Sequence, residues 1–246
     1  MCFHISLSKD RRAIERRFDA SFVDPILEKI YHVSAFSHPK LSVISNEDPS
    51  KIQLFSWGLV PFWVKDEGNA LKIREQTLNA KAETITVKAS FRHSIKTKRC
   101  LVLADGFYEW QHVKKQTYPY YIHLKDHPLF AFAGIWDAWT NKETKETLKT
   151  FSIITTQANP LLAEIHNTKR RMPVILRPED ERRWLSNIPL EEALGLLTPY
   201  DENAMEAHTV SRLITTRGIP TNVPEVMNPY SIGRLPRDFL PCNLLF

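Results

Sequence analysis

The sequence has no closely spaced cysteine pair and no long apolar run, and its first residues do not predict a secretory signal. Its three cysteines, Cys2, Cys100 and Cys242, are odd in number and widely spaced, so neither a zinc knuckle nor a disulfide framework is expected. No stretch approaches the roughly eighteen uncharged apolar residues of a membrane helix, and the amino terminus lacks the basic and apolar regions of a secretory signal. We therefore predict a cytoplasmic protein without a metal, a cofactor or a membrane partner.

Glycine is also scarce. Seven glycines against sixteen prolines indicate defined turns rather than flexible linkers, and no internal repeat or low-complexity segment divides the chain. A chain of 246 residues, 43% hydrophobic and 25% charged, can bury a substantial core. We expect one domain over residues 1–246, with residues 216–246 as a carboxy-terminal tail packed on it.

Helical and strand patterns mix along the chain without regular strand–helix–strand alternation. This mixture predicts an α+β fold around a largely antiparallel sheet. Strand patterns cover residues 41–45, 52–60, 100–113, 118–124, 129–139, 150–156 and 172–176, and helical patterns cover residues 9–18, 83–98, 160–167, 178–186 and 190–197.

Positive charge is present in modest excess. The net charge of +5 excludes a strongly acidic chain, and basic residues cluster within residues 11–17, 92–99 and 169–171. Such clusters attract polyanions. A solvated surface nevertheless explains each cluster taken singly.

Cys2 is the first residue whose chemistry stands out. Its small side chain permits removal of Met1, which would leave a thiol and an α-amine on one two-carbon unit. The reference pKa values of these groups, about 8.5 and about 7.7–8.0, leave both partly deprotonated near neutral pH. Such a 1,2-aminothiol condenses with an aldehyde to an imine and then closes to a thiazolidine ring. Considered alone, Cys2 is more simply interpreted as a small buried hydrophobe.

A carboxylate lies within the aromatic segment DGFYEW, residues 105–110. Strand alternation places Phe107 and Glu109 on one face, with Tyr108 and Trp110 on the other. Aromatic neighbours desolvate a carboxyl group and raise its pKa, which suits a general acid. A partly exposed carboxylate paired with a lysine or arginine explains the segment equally well.

Other polar and aromatic candidates carry less weight individually. His166 can carry protons near neutral pH, although most of the nine histidines must be bystanders. Asn79 offers donor and acceptor groups and Lys81 can meet a phosphate, yet a helix-capping loop accounts for both. Trp63, beyond Pro61, is either an exposed platform for a base or a buried aromatic.

The order of these motifs resembles the SRAP (SOS response-associated peptidase) family, whose members trap abasic sites in DNA. Cys2 is followed in order by WGLVPFW, NAKAE, RCLVLADGFYEW and a histidine shortly before RMPVIL. The match runs to about Leu176 and continues weakly through residues 208–211. It implies a compact α+β domain with a barrel-like sheet flanked by helices.

The resemblance implies a role for each catalytic candidate. Cys2 would form the thiazolidine with the ring-opened sugar of an abasic site in single-stranded DNA, after self-removal of Met1. Asn79 would help to orient the amino terminus and the sugar, and Glu109 would act as acid and base for ring opening and imine formation. His166 would move protons at the sugar hydroxyl and its leaving group.

The resemblance also implies contacts with DNA. Trp63 would pack against unstacked bases. Lys81 stands where the family has an arginine, so it keeps the charge but loses the bidentate fork. Arg171 keeps the family spacing to Met172-Pro173 and would contact phosphate.

Two further features depart from the family pattern. Phe3 and His4 follow Cys2, where the family has glycine and arginine. His166 stands six residues before Met172 instead of three, which amounts to about one extra helical turn. The extra residues must bulge or lengthen the helix if His166 is to reach the site.

Two other functional classes compete with abasic-site trapping. A cysteine peptidase would use Cys2 as nucleophile with His166 and Glu109, and would turn over peptides. A non-catalytic module would bind single-stranded nucleic acid through Trp63 and the basic clusters alone. Loss of the Cys2 thiol would leave such binding unchanged.

Overall fold

The computed structural model of the chain describes residues 2–26, 28–216 and 218–231. The strands of this part are β1 His4–Leu7, β2 Ser21–Phe22, β3 Ile30–Ser34, β4 Lys40–Ser45, β5 Lys51–Trp57, β6 Asn79–Lys81, β7 Arg99–Ala104, β8 Gly106–Val113, β9 Gln116–Leu124, β10 Phe130–Thr140, β11 Thr147–Gln157, β12 Arg171–Pro173 and β13 Met205–Thr209. The α-helices are α1 Arg11–Phe18, α2 Glu67–Gln76, α3 Ser94–Thr97, α4 Pro160–Ile165, α5 Pro178–Leu185 and α6 Leu190–Gly195.

A ring of strands closes into a barrel in the order β11-β10-β7-β4-β5. Neighbouring strands around the ring pair antiparallel. The ring closes where β5 pairs with β11 in parallel, with Ser56 opposite Thr150 and Trp57 opposite Phe151. Closure removes two exposed sheet edges, which would otherwise present unpaired backbone groups. The expected α+β fold with a largely antiparallel, barrel-like sheet flanked by helices is confirmed.

A second sheet has the order β13-β9-β8-β1-β3 and is antiparallel throughout. It packs on the barrel through a shared core that contains Phe107 of β8 and Phe132 of β10. Their rings meet edge to face at 5.8 Å. The short β1 lies between β8 and β3 in this sheet, and Cys2, which precedes it, belongs to the core shared by the two sheets.

Helices cover the other face of the barrel strands. Along β10, Phe130 and Phe132 belong to the core shared with the second sheet, whereas Ala131 and Ala133 belong to a separate cluster. That cluster includes Ile14 and Phe18 of α1, Trp184 of α5 and Ala193 of α6. The two-residue period of a strand therefore sends alternate side chains of β10 into two cores.

Local structure differs from the sequence prediction at several places, and the short strands β1, β2, β3, β6 and β13 were not predicted. The helix expected over residues 83–98 is wrong: a 3-10 turn over Ala82–Thr84 and further turns precede the short α3. Residues 84–87 are all β-branched, which disfavours helix. The strand pattern over residues 100–113 divides at Asp105 into β7 and β8, which lie in different sheets. Helix α2 was not predicted, because its apolar residues form no clear stripe.

The described part of the expected tail packs on the second sheet. The Asn222 side-chain oxygen accepts a hydrogen bond from the Tyr31 N–H at 2.7 Å, and His208 Nε2 donates to the Met227 carbonyl at 2.8 Å. Arg217 and residues 232–246, with Cys242, lie outside the described residues. In the part of the chain that is described, no helix is long and apolar enough to cross a membrane.

Candidate active site

Cys2 lies two residues before the start of β1 and is fully buried in the core shared by the two sheets. Its position is set by β1, where Ile5 pairs with Phe107 and Ser6 with Gly106 of β8. On the other side, the Ala35 N–H donates to the Phe3 carbonyl at 2.7 Å. Residues on both sides therefore hold the backbone around Cys2.

Asp105 anchors the far end of β1. Its two side-chain oxygens accept hydrogen bonds from the Ser6 hydroxyl, the Ser8 N–H and the Ser8 hydroxyl, at 2.5, 2.7 and 2.6 Å. A buried carboxylate with several donors is well satisfied and fixes the groups that it binds. Asp105 therefore acts on the geometry of β1 and so, indirectly, on that of Cys2.

Asn79 contacts Cys2 directly. It is the first residue of β6, and its Nδ2 donates to the Cys2 carbonyl at 2.9 Å. Because a carbonyl only accepts, this bond also fixes which end of the amide faces Cys2. Asn79 Oδ1 is buried and has no hydrogen-bond partner among the described residues. A buried acceptor without a partner is costly, so this oxygen is suited to receive a hydrogen bond from a bound group.

Glu109 lies on β8, on the same face as the core residue Phe107, as strand alternation predicts. It is 4% exposed, and burial raises the pKa of its carboxyl group to about 7. The charge of Glu109 also contributes, after burial, to raising the pKa of the Cys2 thiol well above its usual range. The two side chains therefore share one electrostatic environment, in which both neutral forms are favoured.

His166 follows the last residue of α4 and is buried beside Glu109. Its Nδ1 lies 3.8 Å from Glu109 Oε1 and donates to the Arg171 carbonyl at 2.8 Å. That bond places the proton of the neutral ring on Nδ1 and the lone pair on Nε2. Burial lowers the pKa of His166 to about 4. At neutral pH the imidazole is therefore uncharged, and the contact with Glu109 is not an ion pair.

The extra residues before Met172 form a tight turn instead of lengthening α4. The Arg170 N–H donates to the His166 carbonyl at 2.8 Å, and Arg170 adopts a left-handed φ of 49°. Asn167 fastens this turn to β8: its side chain accepts from the His112 N–H at 3.1 Å and donates to the His112 carbonyl at 2.8 Å. Since β8 also carries Glu109, the clamp holds His166 close to it.

The expected phosphate contacts lie at one end of the neighbouring strands. Lys81 ends β6, on the same side of the strand as Asn79, and is exposed. Arg171 begins β12, and its guanidinium binds the Glu83 carboxylate and the Thr155 carbonyl, at 2.9 and 2.7 Å from Nη2. A phosphate at Arg171 must therefore compete with Glu83, whereas Lys81 lies at the surface.

Trp63 lies at the surface and is 46% exposed. The loop that carries it is held by two bonds: the Phe62 N–H donates to Asp137 at 3.0 Å, and Trp139 Nε1 donates to the Val64 carbonyl at 2.8 Å. Trp63 is thus an exposed and not a buried aromatic residue. Its contact with DNA stays a prediction.

The sequence did not reveal a histidine pair next to Cys2. His4 Nδ1 lies 2.9 Å from His32 Nε2, and the two rings stack at 5.1 Å. Burial lowers their pKa values to about 3 and about 4 respectively. His4 is the second residue after Cys2, where the family that the sequence resembles has arginine. Only the pairing of β1 with β3 brings the two histidines together, so no local pattern could have found it.

The described residues include no group of three His, Cys, Asp or Glu side chains that could hold a metal ion. The free cysteines among them, Cys2 and Cys100, are both buried. The arrangement of Cys2, Asn79, Glu109 and His166 thus offers a thiol, a hydrogen-bond donor and acceptor, a carboxyl group that titrates near neutral pH, and a neutral imidazole.

Comparison with known proteins identifies relatives of the chain. The family model described as SOS response associated peptidase (SRAP) matches residues 1–217. The abasic site processing protein YoqW of Bacillus subtilis is 38% identical over 237 residues, which cover 94% of this chain and 100% of that protein. The abasic site processing protein HMCES of Gallus gallus is 34% identical over 199 residues, covering 72% of this chain and 57% of the relative.

Solved structures agree with the observed fold. A protein from Bacteroides thetaiotaomicron is 40% identical and superimposes with a TM-score of 0.88, over 93% of this chain and 100% of the other. A protein from Bordetella bronchiseptica has a TM-score of 0.76 at 24% identity, over 85% of this chain and 100% of the other. The second likeness supports the fold alone.

Proposed function

Because the chain belongs to the SRAP (SOS response-associated peptidase) family, we propose that it processes abasic sites in single-stranded DNA through a covalent thiazolidine at Cys2. The relatives named as abasic site processing proteins support the substrate class. The observation that carries the proposal is the convergence of Asn79, Glu109 and His166 around the buried Cys2.

The chemistry uses the ring-opened form of the abasic sugar, which carries an aldehyde at C1′. The α-amine of Cys2 adds to C1′ and the adduct loses water, which gives an imine. The Cys2 sulfur then adds to the same carbon, and its proton passes to the imine nitrogen. Aldehyde and aminothiol thus yield a thiazolidine and one water molecule, with no net oxidation or reduction.

Glu109 is suited to carry the protons in these steps. With its pKa raised to about 7 by burial, the carboxyl group populates both protonation states near neutral pH. Protonated, it can donate to the sugar ring oxygen and to the departing hydroxyl of the carbinolamine. Ionised, it can take the proton of the Cys2 thiol, whose raised pKa disfavours a free thiolate.

His166 and Asn79 act on the sugar and on the amino terminus. The neutral imidazole of His166, with its lone pair on Nε2, can accept the proton of the C1′ hydroxyl as the sugar ring opens. Asn79 Nδ2 holds the Cys2 carbonyl, and its buried Oδ1 can accept a hydrogen bond from the reacting amine. Lys81, Arg171 and Trp63 are the proposed contacts with phosphates and unstacked bases.

Removal of Met1 must precede this chemistry, because the amine of Cys2 is otherwise an amide. The proposed maturation is hydrolysis of the Met1–Cys2 peptide bond by the protein itself, with consumption of one water molecule. A general cysteine peptidase fits less well. Such enzymes depend on a lowered thiol pKa, whereas burial and Glu109 raise that of Cys2.

The test is adduct formation between the purified protein and a single-stranded oligonucleotide with one abasic site, followed on a denaturing gel. Wild-type protein should give a stable adduct, and Cys2→Ala should give none. Cys2→Ser keeps the α-amine, so it should give an imine that borohydride traps but no stable ring. Cys100→Ala is the matched control, because Cys100 is equally buried but lies on β7.

Substrate controls separate the proposal from its competitors. Duplex DNA with the same lesion should react far less, because flipping the lesion out of the stack costs a few kcal/mol. An intact oligonucleotide should not react. A stable adduct with Cys2→Ala, or equal reaction with intact DNA, would overturn the proposal. Multiple turnover on peptides would favour the peptidase.

A further inference from the structure

Three charged side chains lie close together at the end of β11. Lys81 of β6 lies opposite Thr155 of β11, and Arg171 begins β12, which pairs with β11 on its other side. Glu83 follows Lys81 in the 3-10 turn Ala82–Thr84. Two of the three side chains are the proposed phosphate contacts, whereas Glu83 has the same sign of charge as phosphate. A negative charge of the protein therefore lies where the DNA backbone is expected.

Arg171 is held in position by contacts other than Glu83. Its Nη2 donates to the Thr155 carbonyl at 2.7 Å and to the Thr155 hydroxyl oxygen at 3.2 Å. Thr155 is fully buried in β11, and only 13% of the Arg171 side chain is exposed. These bonds fix the guanidinium to a strand of the barrel. Release of Glu83 would therefore leave the guanidinium in the same place, with donors free for another acceptor.

Glu83 binds this guanidinium in the way that a phosphate would. Nη1 and Nη2 of Arg171 each donate to one oxygen of the carboxylate, and the same fork binds two oxygens of a phosphate. The hydrogen bonds from Arg171 lower the pKa of Glu83, so its carboxyl group is ionised at neutral pH. The Glu83 side chain is 44% exposed. Because ion pairs open to solvent are weak, a phosphate of a bound strand can displace this one.

We propose that Glu83 is an internal substitute for phosphate, which occupies Arg171 in the free protein and is exchanged for a phosphate of the strand when DNA binds. This inference rests on the proposed function and adds a residue that sets the affinity of its DNA site. Arg171 must give up one ion pair to form another, so the exchange weakens the noncovalent complex. An intact strand is then released readily, whereas a strand with an abasic site is retained by its bond to Cys2.

The first experiment measures binding to a single-stranded oligonucleotide with a tetrahydrofuran abasic analogue, which has no aldehyde and so reports binding without the covalent step. Glu83→Gln should bind about 5-fold more tightly than wild type, which is the effect of one exposed ion pair. The slope of log K against log salt should not change, because the number of phosphate contacts stays the same. Glu143→Gln is the matched control for net charge, because Glu143 is exposed in the connection after β10. It should bind like wild type.

Arg171→Gln separates the exchange from general repulsion between Glu83 and the strand. This variant should bind more weakly, with a salt slope shallower by about 0.7. The gain from Glu83→Gln should disappear in the Arg171→Gln background, because no guanidinium remains to be released. General repulsion would give the same gain in both backgrounds. If Arg171→Gln does not fold, Arg171→Lys replaces it in the cycle. It keeps the charge without the fork and should reduce the gain.

Adduct formation with a true abasic site separates the exchange from a structural role. The Arg171 carbonyl accepts a hydrogen bond from His166, so loss of a merely structural support at Arg171 would slow the reaction at saturating DNA. The exchange predicts a different result for Glu83→Gln. The maximal rate should equal that of wild type, and half of this rate should be reached at a lower DNA concentration.

The inference fails if Glu83→Gln binds no more tightly than Glu143→Gln, if its gain persists in the Arg171→Gln background, or if its maximal rate of crosslinking falls. In each of these cases adduct formation by the wild-type protein would leave the proposed function intact. If the wild-type protein forms no adduct, the proposed function is wrong, whatever the binding cycle shows for Glu83.

Discussion

Replacement of Glu109 by glutamine should make the protein more stable at alkaline pH while it slows crosslinking. Burial raises the pKa of Glu109 from its ordinary value of 4.5 to about 7, so the folded state prefers the protonated carboxyl group. As the pH rises from about 4.5 to about 7, the unfolded chain releases this proton first, and the free energy of unfolding of the wild type falls. Glutamine keeps the shape and removes the titration.

The magnitude follows from the two pKa values. The difference between 4.5 and about 7, at about 1.36 kcal/mol per pH unit, amounts to about 3 kcal/mol. Between acidic pH and pH 8, the free energy of unfolding of Glu109→Gln should therefore rise by about 3 kcal/mol relative to that of wild type. At pH 5 this difference should be at most about 1 kcal/mol. For a chain of this size the gain at pH 8 corresponds to about 6–12 °C in Tm.

The assay is urea unfolding at pH 5, 6.5 and 8, followed by tryptophan fluorescence, for wild type, Glu109→Gln and Glu143→Gln. Glu143 is an exposed glutamate in the connection after β10, and its replacement should change little at any pH. The readout is the pH dependence of the difference in unfolding free energy between Glu109→Gln and wild type. A new hydrogen bond to the glutamine would add the same amount to this difference at every pH, so it does not change the pH dependence. A difference that is flat or shrinks towards pH 8 would refute the reasoning.

The same variant should lose activity. As the proposed proton carrier, Glu109 should contribute about 10²- to 10⁴-fold to the rate of crosslinking. The final adduct should be chemically unchanged, since Glu109 supplies none of its atoms. A Glu109→Gln protein that crosslinks at the wild-type rate would remove Glu109 from the mechanism, even if the stability prediction held.

Three further predictions address maturation, His166 and the DNA contacts. The purified protein should lack Met1 in its intact mass; protein that crosslinks with Met1 retained or acetylated would exclude the thiazolidine. Asn167→Ala should slow crosslinking through displacement of His166, so it should have no further effect in a His166→Ala background, whereas an equal effect in both backgrounds would contradict the clamp. Initial binding to single-stranded DNA should show a salt slope of about −2 to −3, from three or four phosphate contacts at about 0.7 each, and a slope several-fold steeper would indicate general nucleic-acid binding.

Much of the fold was predictable because strand patterns are local. Runs of residues that favour strands marked β9, β10 and β11 close to their observed bounds, and the absence of strand–helix–strand alternation indicated an antiparallel sheet. Closure of the barrel was implied by the family resemblance and not by any local pattern, because the parallel pairing of β5 with β11 joins segments far apart in the chain. The division of residues 100–113 between two sheets could not be predicted for the same reason, because it depends on pairing with strands that are distant in the chain.

The functional groups at the candidate site could likewise be predicted from the sequence. Cys2, Asn79, Glu109 and His166 stand in motifs whose order carried the resemblance, and that order depends on no coordinates. The spacing of His166 left its position open, because the sequence does not show whether extra residues lengthen a helix or form a turn. The Asn167 clamp on β8 decided it.

Only the tertiary structure decided how these groups behave. The raised pKa of Glu109, the neutral state and tautomer of His166, and the pairing of Arg171 with Glu83 depend on atoms contributed by distant segments. Desolvation and hydrogen bonding act over a few ångströms in space, without regard to separation along the chain. The sequence by itself therefore determined which chemical groups are present, and the packing of the two sheets determined their protonation states and partners.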